Sequence, residues 1–146
     1  MLDDTLASDR VDWRPSELTD LHDCRGQLAY AQADLRRASH LFVEALRFAR
    51  EYAHQFLIVE DSVILQHLLG EIAVVAAAMG NHVHATRLFR HARERLHYPR
   101  PNLVQAQIST SLAACRAALG EEAFDVAWAA GQALTLEQAV AEALNR

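Results

Sequence analysis

Apolar side chains recur at intervals of three and four residues along most of the chain, which is the spacing of one face of an α-helix. No stretch alternates apolar and polar residues for long enough to predict a β-strand. The pattern therefore predicts an all-α fold of about seven helices with short connections. The predicted helices cover residues 15–33, 35–53, 56–79, 82–97, 101–119 and 121–130, and a last helix from 135 onward.

Residues that favour helix ends support these boundaries. Pro15 suits the first position of a helix, and Gly80 suits the position just past the end of the third. Gly131 is expected to end the sixth helix in the same way. Thr135, followed three residues later by Gln138, predicts a capping box at the start of the seventh.

One pattern of five positions occurs twice, displaced by 47 residues (81 − 34). Two antiparallel helices approach closely where one offers a small residue, and an aromatic ring then fills the gap between that hairpin and the next. The duplication predicts two helical hairpins over about 19–53 and 66–99, followed by capping helices over about 101–146. The two copies are Asp34, Ala38, Leu41, Phe42, Ala45 and Asn81, Ala85, Leu88, Phe89, Ala92.

The first copy resembles the tetratricopeptide (TPR) pattern. Gly26 stands at the close-packing position of the first helix, Asp34 begins the turn, and Ala38 and Phe42 follow as the crossing alanine and the aromatic. The resemblance implies TPR-like antiparallel hairpins stacked in a short right-handed solenoid. The displacement of 47 residues exceeds the standard repeat of about 34, so these would be long, divergent repeats.

The segment from Ala113 to Leu144 carries a more specific resemblance. Its Gly-Glu-Glu-Ala-Phe run at 120–124, followed by Trp128 and Gly131, is similar to the C-terminal end of the TPR-like arrays in large bacterial signal-transduction ATPases and in LuxR-type and MalT-like transcriptional regulators. The resemblance implies an effector-sensing or partner-binding surface. The chain would be either a free-standing relic of such an array or one piece of a larger protein.

Composition narrows the classes of function. The net charge of −5 disfavours direct nucleic-acid binding, and the absence of lysine excludes a Walker nucleotide site and lysine Schiff-base chemistry. No apolar run is long enough to span a membrane, and the polar residues 1–10 lack the apolar core of a signal peptide. Residues 1–14 show no periodicity and are expected to be flexible. Cys24 and Cys115 are interpreted as buried, reduced thiols. We expect a cytoplasmic protein.

Histidines and arginines cluster on the fourth predicted helix. His82, His84 and His91 could bind Zn²⁺, but no carboxylate or cysteine lies at ligand spacing, so surface histidines are the favoured interpretation. Neither a metal nor another cofactor is expected. The arginines would form a solvated face, with local pairs from Arg87 and Arg90 to Glu94, or meet an acidic protein.

The residues predict a non-catalytic binding or sensing module, because no carboxylate pair is joined by a second catalytic group. A protein or peptide partner, or a small effector, would lie against the first and third helices and contact Asp23, Gln27, Tyr30 and His67. The alternative is a homodimeric assembly module without a ligand groove, because the third helix is apolar nearly all round. A small helical enzyme is a weaker third hypothesis.

Overall fold

The computed structural model describes residues 15–55, 62–92 and 103–145, and within these ranges it contains helices and no strands. The predicted all-α fold with seven helices is thereby confirmed. The predicted flexible segment 1–14, the start of the third helix near 56 and the end of the fourth near 97 lie outside the described residues. The helices are α1 (Pro15–Ala31), α2 (Leu35–Gln55), α3 (Val63–Ala78), α4 (His82–Ala92), α5 (Ile108–Leu119), α6 (Glu121–Gln132) and α7 (Leu136–Leu144), with a 3-10 turn (Gln105–Gln107) before α5.

The two hairpins, α1–α2 and α3–α4, turn through the same backbone hydrogen bonds. The N–H of Asp34 donates to the carbonyl of Ala29 over 2.9 Å, and that of Asn81 donates to Ala76 over 2.9 Å. Each bond closes the last turn of one helix where the next begins, as in a Schellman motif. The duplicated sequence therefore produces a duplicated turn in the same register.

The duplicated positions also form the core of both hairpins. Phe42 and Phe89 are completely buried, and so are the alanines and leucines of both copies. A methyl group on Gly26 would come within 2.6 Å of the Phe42 ring, so only glycine lets the helices of the first hairpin approach so closely. The predicted close-packing role of Gly26 is confirmed.

Helix α3 lies in the middle of the described residues, packed against α2, α4, α5 and α7. Its residues are buried almost continuously from Leu65 to Val75, as its uniformly apolar sequence predicts. The fold thus covers this helix within one chain. The assembly hypothesis was based on an exposed apolar third helix, and the structure has no such exposed helix among the described residues.

The C-terminal helices close the structure against earlier ones. Helix α6 packs mainly on α4, and α7 lies against α2, α3 and α4. In a solenoid each unit contacts only its neighbours, whereas α7 returns to the first hairpin. The right-handed solenoid therefore stays a prediction.

In this C-terminal region one prediction from the sequence is confirmed and another is wrong. The capping box of Thr135 and Gln138 forms as predicted, each residue's side chain accepting a hydrogen bond from the other's backbone N–H. Gly131 does not end α6, which continues to Gln132. It lies instead at a helix crossing, where a methyl group would come 2.9 Å from the Arg87 Cα and closer to its carbonyl oxygen.

The two cysteines have different environments. Cys115 is buried, as predicted, and the predicted burial of Cys24 is wrong because Cys24 lies on the exposed side of α1. None of the helices described is both long and apolar enough to cross a membrane.

Candidate functional site

Helix α3 carries two fully buried polar side chains within its largely apolar sequence. His67 and Glu71 are one turn apart and therefore share a face. Their side chains are 1% and 0% exposed, and His67 Nε2 lies 3.3 Å from Glu71 Oε1. A carboxyl group and an imidazole are thus held together inside the core.

Helix α1 brings a second carboxyl group to the same point. Asp23 Oδ2 lies 3.7 Å from His67 Nε2, and the Asp23 side chain keeps 14% of its surface exposed. The Gln27 side chain, one turn along α1, donates a hydrogen bond to Asp23 Oδ2 over 3.1 Å. One ligand-type atom from each of Asp23, His67 and Glu71 lies within 4.8 Å of the others. We call these three residues the buried cluster.

The pKa values of two carboxyl groups on α1 are shifted in opposite directions. Burial raises the pKa of Asp23, but hydrogen bonds with His67 and Glu71, the charge of His67 and the Gln27 amide outweigh it, so this pKa lies below its ordinary value. Burial and the nearby Asp23 charge raise the pKa of Asp20. The buried cluster is therefore the more favourable place for negative charge.

Three of the four predicted groove residues meet at this cluster. Asp23, Gln27 and His67 lie together, whereas Tyr30 is half-buried and packs against the hydrophobic core. His67 is enclosed, so it does not line an open groove. That these four side chains contact a partner stays a prediction.

Sequence reasoning missed Glu71. A glutamate four residues after a histidine, in a helix otherwise apolar from Leu68 to Val75, is a visible signal. Such an isolated polar pair on a buried helix must have a partner in the fold, because unpaired buried charges are costly.

A second polar cluster joins α4 to α7. Arg87 Nη2 donates to Glu142 Oε1 over 2.6 Å, and His84 Nδ1 lies 3.1 Å from Glu142 Oε2. Burial raises the pKa of Glu142, but its bonds with Arg87 and His84 lower it below the ordinary value overall. His84 is buried, so its interpretation as a surface histidine is wrong.

Two further basic side chains of α4, His91 and Arg90, contact α6. His91 Nε2 lies 2.8 Å from the carbonyl oxygen of Gly131, and the Arg90 guanidinium lies 5.9 Å from the centre of the Trp128 ring. His84 and His91 thus bind different partners and do not converge on one ion. Glu94, the predicted local partner of Arg87, lies outside the described residues.

A shallow apolar groove of about 680 Å³ runs between α4 and the start of α6. Val83 and Val126 lie along it and are 50% and 67% exposed. Its other lining residues are Arg87, Leu119, Gly120, Glu121, Glu122, Ala123, Ala127 and Ala130.

Comparison of the chain with protein-family models, with curated proteins and with solved structures gave no match. The resemblance to TPR-like regulator arrays therefore stays a prediction.

Proposed function

We propose that this chain is a non-catalytic helical-repeat module of the bacterial cytoplasm that binds a protein or peptide partner, or a small effector, in a transcriptional regulator or signalling ATPase. The observation that supports the proposal is the duplicated hairpin, whose two turns have the same hydrogen bonds. Stacked hairpins of this kind present side chains from successive helices on a continuous surface. The C-terminal resemblance supports the link to regulators.

The partner would bind along the outer face of α1. Four exposed residues follow one another there at helical spacing: Glu17, Asp20, Cys24 and Leu28. Leu28 is 60% exposed and the strip includes two carboxylates, so its chemistry suits a basic peptide with an apolar anchor. The raised pKa of Asp20 adds to the argument, because an incoming cation would relieve its unfavourable ionisation.

Selection of random displayed peptides on the immobilised chain tests this proposal. We expect enrichment of peptides that combine arginine or lysine with an apolar residue. The variant Asp20→Arg should bind the selected peptides about tenfold more weakly, which corresponds to about 1.4 kcal/mol. Reversing one exposed charge turns an attraction into a repulsion, and an effect of this size follows.

The matched control is Asp125→Arg, which reverses an exposed carboxylate on α6, away from the strip. It should bind the peptides like the unaltered chain. An equal loss of peptide binding in both variants would show that the effect comes only from the change in net charge. No loss in either would exclude the α1 strip as the binding surface.

The alternative function is homo-oligomeric assembly without a ligand groove. The observation that favours it is the exposed apolar groove beside Val83 and Val126. Helix α3 does not, because the fold covers it. Light scattering at micromolar concentration decides between the two functions. Assembly predicts a dimer that Val126→Glu converts to a monomer, whereas a monomer at all concentrations excludes it.

A further inference from the structure

We propose that Asp23, His67 and Glu71 bind one divalent transition-metal ion of the zinc class, which fastens α1 to α3. The inference goes beyond the proposed function and does not depend on it. It also departs from the sequence-based expectation that the protein holds no metal.

The spacing of the three groups supports a shared ion. An ion with tetrahedral ligands at bond lengths of about 2.0–2.2 Å holds its ligand atoms roughly 3.3–3.6 Å apart. His67 Nε2 lies 3.3 Å from Glu71 Oε1 and 3.7 Å from Asp23 Oδ2. The first distance lies within that range and the second just above it, so a small shift of the Asp23 side chain would bring all three groups onto one ion.

The donor set selects the class of ion. One imidazole nitrogen with two carboxylate oxygens suits Zn²⁺, Fe²⁺ or Co²⁺, whereas Ca²⁺ and Mg²⁺ prefer oxygen ligands throughout. Among residues 15–55, 62–92 and 103–145 the group supplies three ligands, which leaves a fourth position for water. The partly exposed Asp23 gives the ion a route in from solvent.

Charge favours the same conclusion. Glu71 has no exposed surface and lies on an apolar helix beside a second carboxyl group. Buried charges in proteins are paired or coordinate metals, because an uncompensated buried carboxylate is costly. A divalent ion would offset both carboxylates at once.

Groups around the cluster hold the ligands in place. The Gln27 amide donates to Asp23 Oδ2 over 3.1 Å, and the Gln105 amide donates to the backbone carbonyl of His67 over 3.2 Å. Outer-shell bonds of this kind orient the ligands of metal sites.

Titration of the chelator-treated protein with Co²⁺ tests the site. Tetrahedral Co²⁺ gives intense visible d–d absorption. We expect one equivalent to bind, and Zn²⁺ to displace it and raise the unfolding temperature. Glu71→Gln should abolish stoichiometric binding, and Gln27→Ala should weaken it about 10–100-fold.

The control is Glu137→Gln, which removes the carboxylate from the exposed pair that His54 Nε2 forms with Glu137 Oε1 at 2.9 Å. It should bind Co²⁺ like the unaltered protein. No absorption with the unaltered protein, or equal binding by Glu71→Gln and Glu137→Gln, would overturn the proposal and leave a buried polar cluster without metal. Because Gln27→Ala alters only a half-buried amide, it tests the site even where Glu71→Gln does not fold.

Discussion

The two hairpins share a turn, yet their first helices have different surroundings. In both, a backbone N–H reaches back five residues, from Asp34 to Ala29 and from Asn81 to Ala76. Helix α1 keeps a side chain as large as Leu28 60% exposed, whereas α3 is covered on almost every face. The comparison shows that the local pattern decides the turn, and the position in the stack decides how much of each helix is buried.

The largest expected effect is the loss of either core phenylalanine. Phe42→Ala and Phe89→Ala should each lower the free energy of unfolding by about 3–5 kcal/mol, because each leaves a cavity at a fully buried site. Urea denaturation measures both. If the hairpins are equivalent in packing, the two losses agree, and a loss below about 1 kcal/mol for one would break the equivalence.

Replacing two glycines by alanine compares how closely helices approach each other in the first hairpin and in the C-terminal region. Gly131→Ala should destabilise by about 3 kcal/mol, and Gly26→Ala by about 1–3 kcal/mol. The added methyl group meets the Arg87 backbone in the first case and the Phe42 ring in the second, and a side chain yields more easily than a backbone. Thermal unfolding should rank them in this order, with exposed Gln132→Ala within about 0.5 kcal/mol of the unaltered chain. The reverse order would contradict the crossing at Gly131.

Glu142 tests whether the second hairpin depends on α7. Glu142→Gln should cost about 1.5–3 kcal/mol at neutral pH, because it removes the charge that binds Arg87 and His84. The folded-state pKa of Glu142 is lowered, so its contribution is fully present above the ordinary value of 4.5 and is lost as pH falls below it. Denaturation measured from about pH 7 down to about pH 3 should show the free energies of unfolding of the unaltered protein and Glu142→Gln converging at the acidic end.

The matched variant for that comparison is Glu137→Gln on the same helix. Its partner is His54, and both side chains are exposed, so the loss should be at most about 1 kcal/mol. Equal losses in Glu137→Gln and Glu142→Gln would show that burial does not strengthen the Glu142 contacts.

The smallest effects compare the turns themselves. Ala33 has φ 61° where the second hairpin places Gly80 at φ 87°. Ala33→Gly should stabilise by about 0.5–1 kcal/mol, and Gly80→Ala should destabilise by about 1 kcal/mol, because a Cβ is unfavourable in the left-handed region. Chemical denaturation resolves both signs. Destabilisation by Ala33→Gly would mean that the gain in unfolded-chain entropy outweighs the relief of strain.

Sequence reasoning reached much of the fold but only part of the candidate site. Helical periodicity, the close-packing role of Gly26 and the capping box at Thr135 were all predictable, because each depends on residues close in sequence or on a repeated pattern. The contact of Gly26 with the Phe42 ring inside one hairpin was not, since the aromatic was expected between hairpins. The histidine of the buried cluster was selected for a groove, and Glu71 was missed. The predicted inner face placed Asp23 beside the third helix, but the order of residues does not show that His67 is enclosed, with its Nε2 3.7 Å from Asp23 Oδ2.

Local spacing and small residues at fixed offsets are enough to predict the helices, the capping box at Thr135 and the two matching turns. The tertiary structure sets what each helix contacts. It enclosed His67 and Glu71, brought Glu142 of α7 to Arg87 and His84, and used Gly131 for a crossing where a helix end was expected. The physical reason is that burial and ion pairing depend on the packing of distant segments, which neighbouring residues do not specify.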